Sequence, residues 1–294
     1  MKFFIADAFT QNVFGGNPAG VVITGGDTVF PPEDIMLKTA AELRYSETAF
    51  IRQTGEREFT IRYFTPASEV DLCGHATIAS FQCLLDAGIV KDGKEYTAVT
   101  PAGDLKISIS SGFIMMEMAP GDFRSRIDSD EALCELYGIM GIPYEAVNNE
   151  GRQLYPEIIS TGLPDIIMPV SSRRQLAELT PDFDALSALS EKYGVTGVHA
   201  FTLDNAKPEI TAHCRNFAPL YDIDEEAATG TASGALTYYL YTNGITGKGR
   251  LTFLQGEAMG RPSQILTDID NTDNSVNIRV GGSAAILVRG EISL

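Results

Sequence analysis

Short apolar runs that alternate with polar positions dominate the first 64 residues. Lys2–Ala6 and Gly20–Thr24 read as strands, and Glu33–Leu43 reads as a helix behind Pro31 and Pro32. Glu47–Arg52 reads as a further strand, and Glu58–Phe64 as another with Phe59, Ile61 and Tyr63 on one face. The pattern then changes period. His75–Ala87 reads as a helix ended by Gly88, followed by a strand pair, Leu105–Ser110 and Phe113–Met118, turned at Ser111-Gly112. The second half gives a similar order: a strand at Asp165–Val170, helical segments at Ser172–Leu179 and Phe183–Tyr193, and strands at Val198–Leu203 and Glu209–Phe217. A helix at Thr231–Asn243, ended by Gly244, precedes closing strands at Leu251–Gly256, Ser275–Val280 and Ala284–Arg289.

Two of these helices carry apolar residues around most of their circumference. His75–Ala87 holds Ile78, Ala79, Phe81, Cys83 and Leu84, and Thr231–Asn243 holds Ala235, Leu236, Tyr238, Tyr239 and Leu240. A helix of that kind is buried. The two also belong to an internal repeat. Gly74-His-Ala-Thr aligns with Gly230-Thr-Ala-Ser, and Gly88-Ile89 falls where Gly244-Ile245 falls. Arg62-Tyr-Phe-Thr-Pro66 aligns with Arg215-Asn-Phe-Ala-Pro219, and Gly16-Asn-Pro18 with Gly162-Leu-Pro164. Matches in one order imply a duplicated unit. The expected fold is α+β, with two pseudo-symmetric lobes, each a mostly antiparallel, curled sheet about a central helix. The lobes should be residues 1–120 with about 281–294, and residues 121–280, with the active site in the cleft between them.

Composition narrows the chemistry. With 39 acidic against 22 basic residues the net charge is −17, which repels nucleic acid and anionic lipid. No apolar run is long enough to span a membrane, and no leader pattern opens the chain, so a soluble cytoplasmic protein is expected. Cys73, Cys83, Cys134 and Cys214 form no CxxC pair, and His75, His199 and His213 are widely spaced. No metal site, nucleotide loop or dinucleotide fingerprint is therefore expected.

Each central helix opens at a glycine, Gly74 after Asp71-Leu-Cys73 and Gly230 after Glu226-Ala-Ala-Thr229. Helix starts carry unpaired N–H groups and partial positive charge, and glycine lets a ligand approach that backbone. A duplicated pair of such starts suits a small anionic metabolite.

At these same positions the chain resembles the phenazine-biosynthesis (PhzF-like) family, which has a diaminopimelate-epimerase-like fold. The resemblance runs in order along nearly the whole sequence. It is carried by Asp7-Ala-Phe-Thr, Phe14-Gly-Gly-Asn-Pro-Ala-Gly-Val-Val22, Ser46-Glu-Thr-Ala-Phe50, Glu69-Val-Asp-Leu-Cys-Gly-His-Ala-Thr77 and Glu225-Glu-Ala-Ala-Thr-Gly-Thr-Ala232. Gln255-Gly, Gly260-Arg-Pro-Ser263 and Gly281-Gly-Ser-Ala284 complete it. The resemblance implies a cofactor-free acid–base isomerase, as in isomerisation of trans-2,3-dihydro-3-hydroxyanthranilate. It implies Glu47 as the residue that moves the proton, with His75, Glu226 and Thr231 as catalytic partners. It places Asn17, Cys73, Gly74, Ala76, Thr229 and Gly230 around the substrate, and it implies a homodimer. A carboxyl can do this work when burial lifts its pKa toward neutrality. Glu226 stands where the family usually has Asp, Thr231 where it has Ser, and Ala227 where it has Pro. Those departures bear on the substrate.

Two other readings compete. A racemase of the two-thiol type needs a cysteine on each face of the substrate carbon, and the partner position of Cys73 is Thr229. A non-catalytic binding protein could keep the fold alone. Glu47 and His75 argue against it, because a mere binder needs no acid–base pair.

Overall fold

The computed structural model describes residues 1–25, 29–204, 207–272 and 275–294. The chain forms two compact units, residues 1–117 with 281–294 and residues 118–280.

The first unit opens with β1 (Lys2–Ala8), β2 (Asn17–Ile23), α1 (Glu33–Leu43), β3 (Thr48–Gln53), β4 (Glu58–Phe64) and β5 (Glu69–Val70). It continues with α2 (Gly74–Asp86), β6 (Lys94–Thr100), β7 (Gly103–Ser110) and β8 (Phe113–Glu117). The second unit holds β9 (Asp122–Arg126), α3 (Asp130–Ile139), β10 (Val147–Asn149), β11 (Arg152–Leu154), β12 (Glu157–Ser160) and β13 (Pro164–Pro169). Next come α4 (Arg173–Glu178), α5 (Phe183–Tyr193), β14 (Val198–Thr202), β15 (Ala212–Ala218) and β16 (Ile223–Glu226). It ends with α6 (Gly230–Thr242), β17 (Gly249–Gln255), β18 (Ser263–Thr272) and β19 (Ser275–Gly282), after which β20 (Ala284–Glu291) pairs with β1.

Strand pairing repeats between the units. In the first, β1 runs antiparallel to β2, β2 parallel to β3, β3 antiparallel to β4, and β4 parallel to β6. In the second, β12 runs antiparallel to β13, β13 parallel to β14, β14 antiparallel to β15, and β15 parallel to β17. Even single bonds recur. Gly20 N–H donates to Glu47 O at 3.3 Å, and Ile166 N–H to Gly197 O at 3.0 Å. Thr24 N–H donates to Ile51 O at 3.0 Å, and Val170 N–H to Phe201 O at 2.8 Å. The register thus equates Glu47 with Gly197. The shared glycine at each helix start equates Cys73 with Thr229 and His75 with Thr231.

Each unit is layered. The first central helix, α2, packs against β1, β2, β3, β8 and β20 of its own unit, and the second, α6, against β12, β13 and β18. The opposite sheet faces are covered by outer helices. Met36 and Ala40 of α1 cluster with Val22, Phe50 and Phe64. Leu133, Tyr137, Leu176 and Leu189 from α3, α4 and α5 cluster with Ile166, Met168 and Val198. Sheets covered on both faces need apolar residues at nearly every position, which explains the weak alternation of β2 and β13. Both central helices stop the same way. Gly88 (φ +71°) and Gly244 (φ +70°) take the left-handed conformation that ends a helix cheaply.

Candidate active site

In the first unit four of the anticipated residues converge at the start of α2. Asn17 is the first residue of β2 and is 5% exposed. Glu47 precedes β3, where Gly20 of β2 bonds its carbonyl. Cys73 is the N-cap of α2 in extended conformation, without a side-chain cap bond, and His75 lies in the first turn. The sequence reading began the β3 strand at Glu47; the ladder begins one residue later, at Thr48. Gly74 opens the helix, and Ala76 is fully buried behind it.

The imidazole of His75 is the hub. Asn17 Nδ2 lies 3.2 Å from Nδ1, and Cys73 Sγ lies 3.4 Å from the same nitrogen. On the other side Nε2 lies 3.2 Å from Glu47 Oε2 and 3.4 Å from Ser46 Oγ. Burial lowers the pKa of His75, and the Glu47 charge only partly opposes this. Glu47 Oε2 is buried and, although His75 stands at ion-pair distance, no well-aligned hydrogen bond reaches it. It is an acceptor aimed but not engaged. Beneath the hub, Tyr63 Oη and Thr77 Oγ1 are bonded at 2.6 Å, and Thr77 Oγ1 donates to Cys73 O at 2.7 Å. This ties the helix start to β4.

One thiol, one imidazole and one carboxylate oxygen, from Cys73, His75 and Glu47, lie within 4.8 Å of one another. That donor set could hold a zinc-type ion.

In the second unit the start of α6 is organised by a glutamine. Thr229, its N-cap, donates from Oγ1 to Glu226 Oε2 at 2.6 Å. Gln255 Nε2 donates to Glu226 O at 2.7 Å, and Gln255 Oε1 accepts from Thr229 N–H at 3.3 Å. Gly230 opens the helix and is buried, while Thr231 offers its carbonyl to Thr161 Oγ1 at 3.0 Å. Glu226 and Thr229 are thus joined, and Thr231 is engaged from the other side. Both N-cap side chains, Cys73 and Thr229, leave the helix start uncapped, so the backbone N–H groups of both first turns are placed for an anion.

Several participants escaped the sequence reading. Ser46 and Gln255 touch the two helix starts but sit in segments read only as strand or signature. Asp165 of β13 is 1% exposed, and its Oδ1 has no hydrogen-bond partner. Burial, and then the charge of Glu226, push its pKa up to about 8, against the N–H of Gly197. His199 of β14 donates from Nδ1 to Asn216 Oδ1 at 3.0 Å, and burial pushes its pKa down to about 4. A carboxylate inside the apolar run Pro164-Asp-Ile-Ile-Met-Pro169 was the available signal.

Comparison with known proteins shows the family and the fold. The family model described as phenazine biosynthesis-like protein matches residues 6–290. The uncharacterized isomerase YfhB of Bacillus subtilis is 31% identical over 284 residues, 95% of this chain and 94% of its own. An uncharacterized isomerase of Clostridium acetobutylicum is 33% identical over 306 residues, 98% of this chain and 96% of its own. The crystal structure of a PhzF-family phenazine biosynthesis protein of Bacillus anthracis superposes with a TM-score of 0.87 at 24% identity, covering 100% of this chain and 99% of that one. It has the same fold.

Proposed function

Because this chain belongs to the phenazine biosynthesis-like protein family, we propose that it is an isomerase in which Glu47 takes a proton from one carbon of a small carboxylate-bearing metabolite and returns it to another. The isomerase names of the Bacillus and Clostridium relatives support the class. The observation that carries the mechanism is Glu47 Oε2, a buried acceptor without an aligned hydrogen bond. A carboxylate already held by several donors would be a poor base, and Oε2 of Glu47 has no aligned donor. The proton lost from one carbon and the proton gained by the other pass through the same carboxyl, so no further reactant is needed.

We assign the substrate carboxylate to the N–H groups that open α2 at Gly74. Cys73 has Thr229 as its counterpart, so a pair of thiols cannot share the reaction.

The experiment is solvent exchange. In D2O, the purified protein should incorporate deuterium into a panel of small unsaturated or amino-substituted carboxylates, and chelator treatment should leave the rate unchanged. Glu47→Gln should keep ligand binding and lose about 100-fold or more in turnover, roughly 2.7 kcal/mol. A fully active Gln variant would remove Glu47 from the chemistry.

A further inference from the structure

The start of β2 carries one more element of the site. We propose that Asn17 is a positioning residue that fixes the single proton of His75 on Nε2, the nitrogen that faces Glu47. The inference deepens the isomerase reading and rests on it for its meaning, but its first test needs no substrate.

The argument begins with donors. An amide NH2 group only donates, so Asn17 Nδ2, 3.2 Å from His75 Nδ1, makes that nitrogen an acceptor. Cys73 Sγ, 3.4 Å from the same nitrogen, can add a weak S–H donor. Burial favours the neutral imidazole, which carries one proton. The proton is therefore on Nε2, toward Glu47 Oε2 at 3.2 Å and Ser46 Oγ at 3.4 Å. With the opposite tautomer a lone pair would face the Glu47 carboxylate and repel it.

The chain spends strained geometry on delivering Asn17. In the turn before β2, Phe9 (φ +63°) and Phe14 (φ +70°) adopt the left-handed region, where a bulky residue is uncommon. Asp7 Oδ2 accepts the Phe14 N–H at 2.8 Å and holds the turn. Gly16 (φ +62°) follows, and any Cβ there would collide with the carbonyl oxygen of Ala8.

The second unit supplies an internal control. It keeps the Gly-x-Pro turn but has Leu163 where the first has Asn17, Thr231 for His75 and Gly197 for Glu47. Where the imidazole and the carboxylate are missing, the amide is missing too. The turn folds with leucine, so the fold does not demand the amide.

The test is the side-chain nitrogen spectrum of the full-length protein labelled with 15N-histidine. His199 donates from Nδ1 to Asn216, and His213 Nδ1 faces the Glu257 carboxylate, so both should carry their proton on Nδ1. His75, identified by its loss in His75→Gln, should alone show the Nε2–H pattern at neutral pH. Asn17→Leu should convert a large share of His75 to Nδ1–H, and Asn17→Asp should populate its doubly protonated form. Unchanged His199 and His213 signals report that the variants fold. Both variants should lose about tenfold or more in deuterium exchange. A wild-type His75 with its proton on Nδ1, or variants that leave its pattern unchanged, would overturn the proposal. If the tautomers match and the wild type catalyses no exchange, the positioning role stands and the isomerase reading falls.

Discussion

The two units share a backbone plan and differ in what they mount on it. At the start of α2 stand a carboxylate, an imidazole and an amide; the positions matched to them by register and repeat in the second unit are Gly197, Thr231 and Leu163. The second unit instead places Glu226, Thr229 and Gln255 in one bonded group. Ring and carboxylate in the first stand 3.2 Å apart without an aligned hydrogen bond, while polar atoms in the second are mostly tied to one another. The difference teaches that one repeated backbone plan gives two helix starts without a side-chain cap bond, and that the side chains around them then diverged. Under the proposed function, proton transfer falls to the first start, where Glu47 and His75 stand.

Gly197→Ala tests how firmly that division is built in, and it should have the largest effect. A Cβ at this position would collide with the carbonyl oxygen of Phe217. The second unit therefore cannot carry even a methyl group where the first carries Glu47. Destabilisation of about 3 kcal/mol or more is expected in urea unfolding. A neutral alanine there would mean that the second unit can accept a Cβ as the first does at Glu47.

Asp165→Asn sharpens the comparison through pH. Asp165 stands where the first unit has Ala19, and its pKa of about 8 lies well above the ordinary aspartate value near 3.9. Between those values the native state keeps a proton that the unfolded chain gives up, so stability falls as pH rises from about 4 to about 8. His199 acts oppositely: its native pKa of about 4 adds stability as pH rises to about 6.5. Taking the difference between wild type and Asp165→Asn cancels the histidine contribution. That difference should move against the wild type by a few kcal/mol over this range. Parallel stability curves would show that Asp165 is not held protonated.

Cys73→Ala should do least. Cys73 is 7% exposed, and its counterpart is Thr229, so no thiol pair exists to break. Turnover should fall by less than about tenfold, at most roughly 1.4 kcal/mol. A thousandfold loss in a folded variant would return the thiol to the mechanism and undo the division between units.

Much of the plan was legible because it lies in local pattern. The all-round apolar helices, their terminal glycines and the ordered repeat are visible without coordinates, and the central helices begin and end within one residue of the reading. Glu47 was legible only through resemblance, since nothing local separates it from other glutamates. The elements between β8 and β13 were not legible. There, α3 carries a Ser129 cap and an acidic first turn. The strand β12 carries Glu157, a buried carboxylate 2.8 Å from Arg126 and 3.2 Å from Asn243. A charge in so short a strand masks its period, and its partners lie 31 and 86 residues away in sequence. Asp165 was hidden for the opposite reason, a single charge inside an apolar run.

One repeated detail outside the chemistry has a consequence for change over time. Arg62 forks onto Glu69 with Nε to Oε1 at 2.7 Å, and Arg215 onto Glu225 with Nε to Oε1 at 2.8 Å. Each arginine also lies over an aromatic ring, Phe64 or Phe217. These partly buried bidentate pairs clamp the strand that leads to each helix start, whatever that start displays. Selection can then exchange Glu226, Thr229 or Thr231 singly while the mount stays fixed. Under the proposed function, a substrate change becomes a change of a few residues at a helix start rather than a rebuilding of the frame.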